Sequence, residues 1–358
     1  MAIKRKTLFV EEDIREIGSR LSEEKKEFAG KTVLITGGLG FLGKHLVAVF
    51  SSFNQSGLRP ACKIVVADNQ ITTHDTTLPF TASSNVVYIN QDVTKPVRYR
   101  GRFDYIIHAA GIASPFYYRK YPLETLDVAV QGTRQILETA KKQKSCVLFF
   151  SSSEIYGDPD PNFIPTPEEY NGNVPCLGPR SCYDEGKRVG ETLCRIYNEY
   201  FGVRVKIVRP FNVYGPGMSQ KDYRVIPNFA SAILQNKPVN IYSSGRQTRT
   251  FCYVTDAMTG FIKTLVHGRD GEAYNIGSEK PEITILDLAK AFQKAGGAKI
   301  KINQTHYPES YIAKEPFRRC PDLRKAKSHL GYEPGVELIE GLRRFLKWAK
   351  DNYRRNRV

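Results

Sequence analysis

Residues 31–43 read KTVLITGGLGFLG. The first six, Lys31 to Thr36, are a short β-branched apolar run of the kind that forms a buried strand. Gly37, Gly40 and Gly43 then fall three apart, and an apolar-periodic stretch at 44–53 predicts a helix. A glycine-rich turn alone marks only a tight bend. Between a strand and a helix, it brings bare backbone amides at a helix N-terminus up to a pyrophosphate. Gly37, Gly40, Phe41, Leu42 and Gly43 are therefore candidate dinucleotide contacts. The next strand, from Lys63 to Ala67, ends in Asp68-Asn69. A carboxylate there accepts hydrogen bonds from an adenosine ribose and repels a 2′-phosphate, which favours NAD over NADP.

Strand-like runs recur at 85–90, 105–108, 147–150 and 203–208, with helical patterns at 120–142 and 182–200 between the later ones. The alternation predicts an α/β fold with a Rossmann-type doubly wound parallel sheet. Ligands of such sheets sit at the C-terminal strand ends. Asp92-Val93, Ala109-Ala110, the 151–154 run and the 210–214 run all fall there, the first two pairs as further cofactor candidates. After residue 210 the pattern loosens, with helices expected at 224–236, 255–267, 284–295 and 338–353 and short strands near 239–242, 250–253 and 272–276. The expected division is an N-terminal extension over 1–29, an NAD-binding unit with the catalytic residues over 30–210, and a smaller, mainly substrate-binding α/β lobe over 211–358, with interleaved boundaries. The charged amphipathic helix at 11–28, with Ile14, Ile17 and Leu21 on one face, reads as lying outside the catalytic core.

Composition narrows the class. The 358 residues are 41% hydrophobic and 11% aromatic, ordinary for a globular enzyme, and no apolar run approaches the ~20 residues of a membrane span. The opening residues lack the apolar core of a secretory signal. Seven scattered cysteines, none in a C-x-x-C pair, fit a reducing, cytoplasmic setting and argue against a metal site. Cys182 reads as a small buried thiol. The formal charge of +16 is concentrated in Lys4 to Lys6 and in the Arg343-Arg344, Lys347, Lys350, Arg354-Arg355 tail. Aromatics do not interleave with it as a nucleic-acid groove needs, so it suits an anionic small substrate.

The chemistry gathers at GPRSCYDEGKR, residues 178–188. On a helix, Tyr183 and Lys187 share a face one turn apart. A free phenol ionises near pH ~10, and a cation held beside it favours the phenolate. Tyr183 is thus a candidate general base with Lys187 as its activating cation.

The glycine turn, Asp68, the Ser152-Ser153-Glu154-Ile155-Tyr156-Gly157 segment, Tyr183-x-x-x-Lys187 and Arg209-Pro-Phe-Asn-Val-Tyr-Gly-Pro216 together resemble the extended short-chain dehydrogenase/reductases that modify nucleotide-sugars. The resemblance covers roughly residues 30–350. Within that superfamily, SSSEIYGDP followed by GPRSCYDEGKR is most similar to the UDP-glucuronate decarboxylase, or UDP-xylose synthase, group. The Ala113 to Tyr118, Ser244 to Arg249 and Arg319 to Leu323 stretches agree.

The resemblance implies that Tyr183 takes the proton from the sugar O4 while NAD receives hydride from C4, that Lys187 also reaches the nicotinamide ribose, and that Ser152 bonds the reacting oxygen. Glu154 would orient the sugar acid. Arg319 would meet its carboxylate or help protonate the enolate; Arg318 is adjacent, and the sequence leaves open which faces inward. Asn212 and Arg249 match diphosphate-binding positions, and Arg224 and Tyr253 would line the same cleft. Related dehydratases carry an Asp-Glu pair whose Asp protonates the leaving hydroxyl; Ser153-Glu154 lacks that acid. Asn171, Gly217 and Cys320 depart from the group's pattern near the expected substrate side. A uronate 4-epimerase using the same Tyr183, Lys187 and NAD stays open beside the decarboxylase, as does a non-catalytic NAD-binding protein. The helices at 120–142 and 182–200 commonly pair across a two-fold axis in this superfamily, which implies a homodimer.

Overall fold

The computed structural model describes residues 9–73, 85–222, 224–297, 300–306 and 316–353. The basic runs at Lys4 to Lys6 and Arg354-Arg355 lie outside the described residues.

Strand β1 (Thr32–Thr36) sets the layers. Its Val33 and Ile35 side chains join a core on one face, while Leu34 joins a second core on the other. All three are fully buried, as a central parallel strand covered on both sides requires. Strands β2 (Lys63–Asp68), β3 (Val86–Asn90), β4 (Tyr105–His108), β5 (Cys146–Phe150) and β6 (Arg204–Pro210) follow in the chain. In the sheet, β1 pairs with β2 and β4, β2 with β3, and β5 with β4 and β6, all parallel. The order reverses between β1 and β4, so the crevice for ligands opens there.

The seventh strand is Ala273–Ile276, parallel to β6. Its sequence puts it after the break at residue 210, yet it completes the central sheet and not the smaller lobe. Short strands outside that sheet build the lobe: Val239–Tyr242 pairs with Ile302–Thr305, and Thr248–Arg249 lies between Ile283–Thr284 and Arg318–Arg319. The helices Val225–Leu234, Val254–His267, Ile285–Gly296 and Leu338–Asn352 fall within two residues of the expected positions.

Two further expectations are corrected. Helix α1 (Glu11–Arg20) is not outside the core: Asp13, Ile14 and Ile17 are buried, as are Leu21 and Phe28 beyond it. Phe28 packs edge-on against Phe50 of helix α2 (Phe41–Gln55) and against Tyr105 of β4. The helix expected over 120–142 is in pieces: Pro115–Lys120, Pro122–Asp127, a π-helical turn Val128–Gly132, and Thr133–Gln143. Pro122 has no N–H to continue a preceding helix and starts a new one instead.

Candidate active site

Strand β1 delivers the chain into the glycine turn with Gly37 at φ 69°, in the left-handed region. A Cβ on Gly37 would stand 2.7 Å from the Ala110 backbone, and one on Gly43 would stand 2.1 Å from the Gly37 carbonyl oxygen. The turn therefore packs so tightly that side chains are excluded and backbone alone faces the crevice at the start of α2, with Gly37 N held by the Ala67 carbonyl and Gly40 N by the Gly37 carbonyl. Asp68, at the end of β2, accepts from Leu39 N at 3.0 Å and from Gln70 N at 2.8 Å. Each oxygen keeps acceptor capacity for a ribose hydroxyl. This cradle fits a dinucleotide.

The other expected cofactor positions fall around it. Phe41, Leu42 and Ala109 line a cleft of about 340 Å³ at the strand ends. Ala110 N donates to Thr36 Oγ1 at 3.3 Å. That hydroxyl also meets His108 Nδ1 at 2.8 Å, while burial and the Lys187 charge push the imidazole pKa down to about 3 and keep it neutral. Val93 is buried against the π-helical turn near Gly132. Asn69 and Asp92 are exposed and close local turns onto Ile71 and Thr94.

Helix Ser181–Phe201 brings Tyr183 and Lys187 to the cleft on one face. Lys187 Nζ lies 5.9 Å from the centre of the Tyr183 ring and donates to the Phe150 carbonyl at 2.6 Å. Burial pushes its pKa down to about 8. Ser152 lines the same cleft, and the phenol stacks on Tyr118 with centroids 5.5 Å apart. Its pKa is not lowered as the spacing with Lys187 suggested. Burial pushes it up to about 12, with Ser152 pulling against burial and the Glu154 and Asp184 charges adding to it. Desolvation dominates, and the Lys187 ammonium is engaged by the Phe150 carbonyl.

Glu154 and Arg319 meet in the cleft although 165 residues separate them, with Arg319 Nη2 donating to Glu154 Oε2 at 2.8 Å and a second, shorter contact from Nη1 to Oε1. Arg318 points away and pairs with Glu282 at 2.8 and 2.9 Å. The register of Arg318–Arg319 against Thr248–Arg249 decides between the two, since adjacent residues of a strand face opposite sides.

Sequence reasoning missed Arg180. It caps the start of the Tyr183 helix, lines the cleft, donates to Glu154 and lies 3.4 Å from Asp184. Its place three residues before Tyr183 was the available signal. Burial raises the Glu154 carboxyl, but Arg180 and Arg319 outweigh it and hold it well below the carboxylate range. Asp184, with one oxygen buried and without a hydrogen-bond partner among the described residues, goes the other way: burial raises it more than Arg180 lowers it.

Of the remaining expected contacts, Asn212, Arg224 and Arg249 line the cleft. Asn212 Nδ2 donates to the Thr250 carbonyl at 2.9 Å, Arg249 Nη1 to the Thr248 carbonyl at 2.8 Å, and Arg224 Nε to Asp222 at 3.0 Å. Tyr253 does not reach the cleft: its hydroxyl donates to Asp13 at 2.7 Å on the far side of its strand. Nor do the three departing positions line the cleft. Cys320 is buried with its thiol toward the Glu279 carbonyl, Asn171 is exposed, and Gly217 sits in a turn at φ 90°.

Comparison with known proteins agrees with this arrangement. Residues 33–277 match the model of the NAD dependent epimerase/dehydratase family. The chain is 39% identical over 311 residues to UDP-glucuronic acid decarboxylase 3 of Arabidopsis thaliana, covering 87% of this chain and 86% of the relative. It is 38% identical over 321 residues to UDP-glucuronic acid decarboxylase 1 of Xenopus tropicalis, covering 89% and 72%. Among solved structures, UDP-glucuronic acid 4-epimerase from Bacillus cereus in complex with UDP-glucuronic acid and NAD superimposes with a TM-score of 0.74 at 25% identity, covering 90% of this chain and all of that one. With a bare glycine cradle, an aspartate at the end of β2 and a Tyr-Lys pair at the crevice, the chain belongs to the NAD dependent epimerase/dehydratase family.

Proposed function

We propose that this protein is an NAD-dependent UDP-glucuronate decarboxylase that converts UDP-glucuronate to UDP-xylose. The observation that carries the reading is the Glu154 carboxylate gripped by Arg180 and Arg319 beside Tyr183 and Ser152, an acid-handling cluster next to a base for one sugar hydroxyl. The names of the relatives support it.

In this reading Ser152 and Tyr183 hold the sugar O4, and Tyr183, whose pKa burial in the cleft raises, would act as base for its proton once the positive nicotinamide of a bound NAD adds to the Lys187 charge. Lys187 offsets the charge on the tyrosine. Gly37, Gly40 and Gly43 would cradle NAD and Asp68 its ribose, and the bound cofactor would supply the hydride acceptor and donor for C4. A ketone at C4 is β to the C6 carboxylate. The C5–C6 bond then breaks, its electron pair passes through C5 into the C4 carbonyl, and carbon dioxide leaves. The Arg319 and Arg180 charges stabilise the enolate, C5 takes up a proton, and Tyr183 returns its proton to O4 as the carbonyl is reduced. Asn212, Arg224 and Arg249 serve the diphosphate end, where an arginine fork suits phosphate oxygens.

A 4-epimerase would share Tyr183, Lys187 and NAD but would keep the carboxylate. The discriminating experiment incubates the purified protein with UDP-glucuronate, with and without added NAD, and follows the sugar by proton NMR. Collapse of the H5 methine into a CH2 pair is the expected result. A changed H4 coupling with the carboxylate retained sinks the decarboxylase reading in favour of the epimerase.

The same reading includes a cytoplasmic homodimer. Its support is the set of seven unpaired cysteines and an exposed apolar face on the Pro122–Asp127 and Ser181–Phe201 helices, formed by Leu123, Leu126, Val189, Ile196 and Tyr200. Light scattering should give twice the chain mass, reduced to one chain by Ile196→Asp.

A further inference from the structure

Glu191 lies one turn beyond Lys187 on the helix that carries Tyr183, and no step above uses it. Its carboxylate takes three hydrogen bonds. Two come from Arg209, from Nε to Oε1 at 2.9 Å and from Nη2 to Oε2 at 2.6 Å. The third comes from Ser151, which is buried and donates its hydroxyl to Oε1 at 2.5 Å. Ser151 is the first residue past β5 and stands between two parts of the active site. Before it is Phe150, whose carbonyl accepts from Lys187 Nζ; after it is Ser152, which lines the cleft with Tyr183.

The helix therefore holds this strand end at two points, Lys187 on Phe150 and Glu191 on Ser151. One hydrogen bond sets a distance but leaves the strand end free to swing. A second, from a residue ~6 Å further along the helix axis, removes that swing. The approach is close because residue 190 is glycine: a Cβ there would stand 2.5 Å from the Phe149 ring. Arg209 keeps the carboxylate from turning away, since it is itself tied to the Tyr156 hydroxyl and the Glu168 carbonyl. Glu191 also places its charge near a buried ammonium. Burial lowers the Lys187 pKa, and Glu191 is among the groups that oppose the fall.

Resting on the C4 oxidation in the reading above, we propose that Glu191 is a positioning residue for that step. Through Ser151 it keeps the Phe150 carbonyl on Lys187 and the Ser152 hydroxyl at the cleft, so that base, cation and hydroxyl hold one geometry as the sugar enters and leaves. Glu191 itself does not line the cleft. Its pairing with Arg209 serves the fold, and the bond from Ser151 serves the reaction. Ser151→Ala separates the two roles, because it removes the second and spares the first. The oxidation comes before decarboxylation and epimerisation alike, so the role is the same whichever bond breaks afterwards.

The test is steady-state kinetics of NAD-loaded Ser151→Ala with UDP-glucuronate, the product being counted by proton NMR. Misplaced groups cost the chemical step, so kcat should fall about tenfold while KM stays within about twofold. The alkaline limb of the kcat profile should move below about pH 8, because a loosened Phe150 carbonyl holds the Lys187 ammonium less well and lets its pKa fall further. Ser151→Thr, which keeps the hydroxyl, should recover most of kcat and return the limb. Unchanged kcat in Ser151→Ala overturns the proposal, as does a loss with the limb unmoved and no recovery in Ser151→Thr, which is the mark of packing alone. If melting curves show Ser151→Ala to be unfolded, Glu191→Ala combined with Arg209→Met removes the carboxylate together with its partner and decides by the same two readouts. A wild type that forms the epimer sinks the decarboxylase reading and leaves this test to be read on that product. A wild type that oxidises no sugar at C4 sinks both.

Discussion

The Tyr253 hydroxyl donates to the Asp13 carboxylate at 2.7 Å across 240 residues of chain. The bond ties α1 to the strand that follows Arg249, and Arg344 closes the far side of the same aspartate at 3.1 Å. Burial pushes the Asp13 pKa up to about 6 from 3.8, outweighing both partners. A raised carboxyl binds its proton more tightly in the folded state, so its contribution to stability is complete below pH ~4 and is lost as pH rises through about 6. At 1.36 kcal/mol per unit the loss is on the order of 2 to 3 kcal/mol. Asp13→Asn should abolish that loss, so its urea midpoint should gain on the wild type between pH 4 and pH 7. Parallel curves for the two proteins would show that Asp13 does not titrate in this range.

Lys187 sets the alkaline limit of activity. With its pKa pushed down by burial to about 8, it loses the charge that offsets the Tyr183 phenolate as pH rises past that value. The pH profile of kcat/KM, measured on NAD-loaded enzyme, should fall above about pH 8, and Lys187→Arg should move that limb upward by more than one unit at lower kcat. A limb that stays in place in the variant would assign it to another group.

The glycine turn tolerates no side chain at residue 43. Gly43→Ala drives a methyl group to 2.1 Å from the Gly37 carbonyl oxygen, and backbone on both sides of the contact must shift. Overpacking of this kind costs roughly 1 to 3 kcal/mol, and it distorts the amides that face the dinucleotide. Thermal denaturation should show the loss without ligand, and an NAD titration should show affinity falling at least tenfold. Undiminished affinity would mean that the turn is not the phosphate cradle.

Glu191, one turn beyond Lys187, accepts from Arg209 Nε at 2.9 Å and Nη2 at 2.6 Å. Arg209 continues to the Tyr156 hydroxyl and the Glu168 carbonyl, both at 2.7 Å. The two side chains of the ion pair are only 10% and 14% exposed. Breaking such a pair from one side leaves a buried charge, so Glu191→Gln should cost roughly 3 to 5 kcal/mol in urea unfolding. Glu191→Gln combined with Arg209→Met should cost less than the sum of the single changes.

Period and punctuation made much of this molecule legible. Runs such as Ile64 to Ala67 are buried on both faces and so apolar throughout, and the glycine spacing after Thr36 marks the cofactor end. Tertiary partners were harder to read. The strand Ala273–Ile276 was recognisable as a strand, but nothing local says that its neighbour is β6. The apolar face of α1 was visible, yet Asp13 on the same helix reads as solvated until Tyr253 and Arg344 are brought to it. Arg180 within GPRSCYDEGKR has no legible role in sequence, because its partner Glu154 is held on a different element. The spacing of Tyr183 and Lys187 placed the two on one helix face but carries no information about desolvation, which raises the phenol.

The pairing of Ala273–Ile276 with β6 also dictates an order of events at the ribosome. Synthesis runs from the N-terminus, so β6 emerges while its outer neighbour is still more than sixty residues from being made. Until that later segment arrives, the nascent sheet presents β6 as an open edge. The intervening chain, which includes Asn212, Arg224 and Arg249, is then fastened at both ends to one sheet. It is a closed loop of structure and not a tail, and because the chain leaves Ala273–Ile276 again for Ile283–Thr284, any closure of the lobe over a sugar must bend at least three chain crossings together.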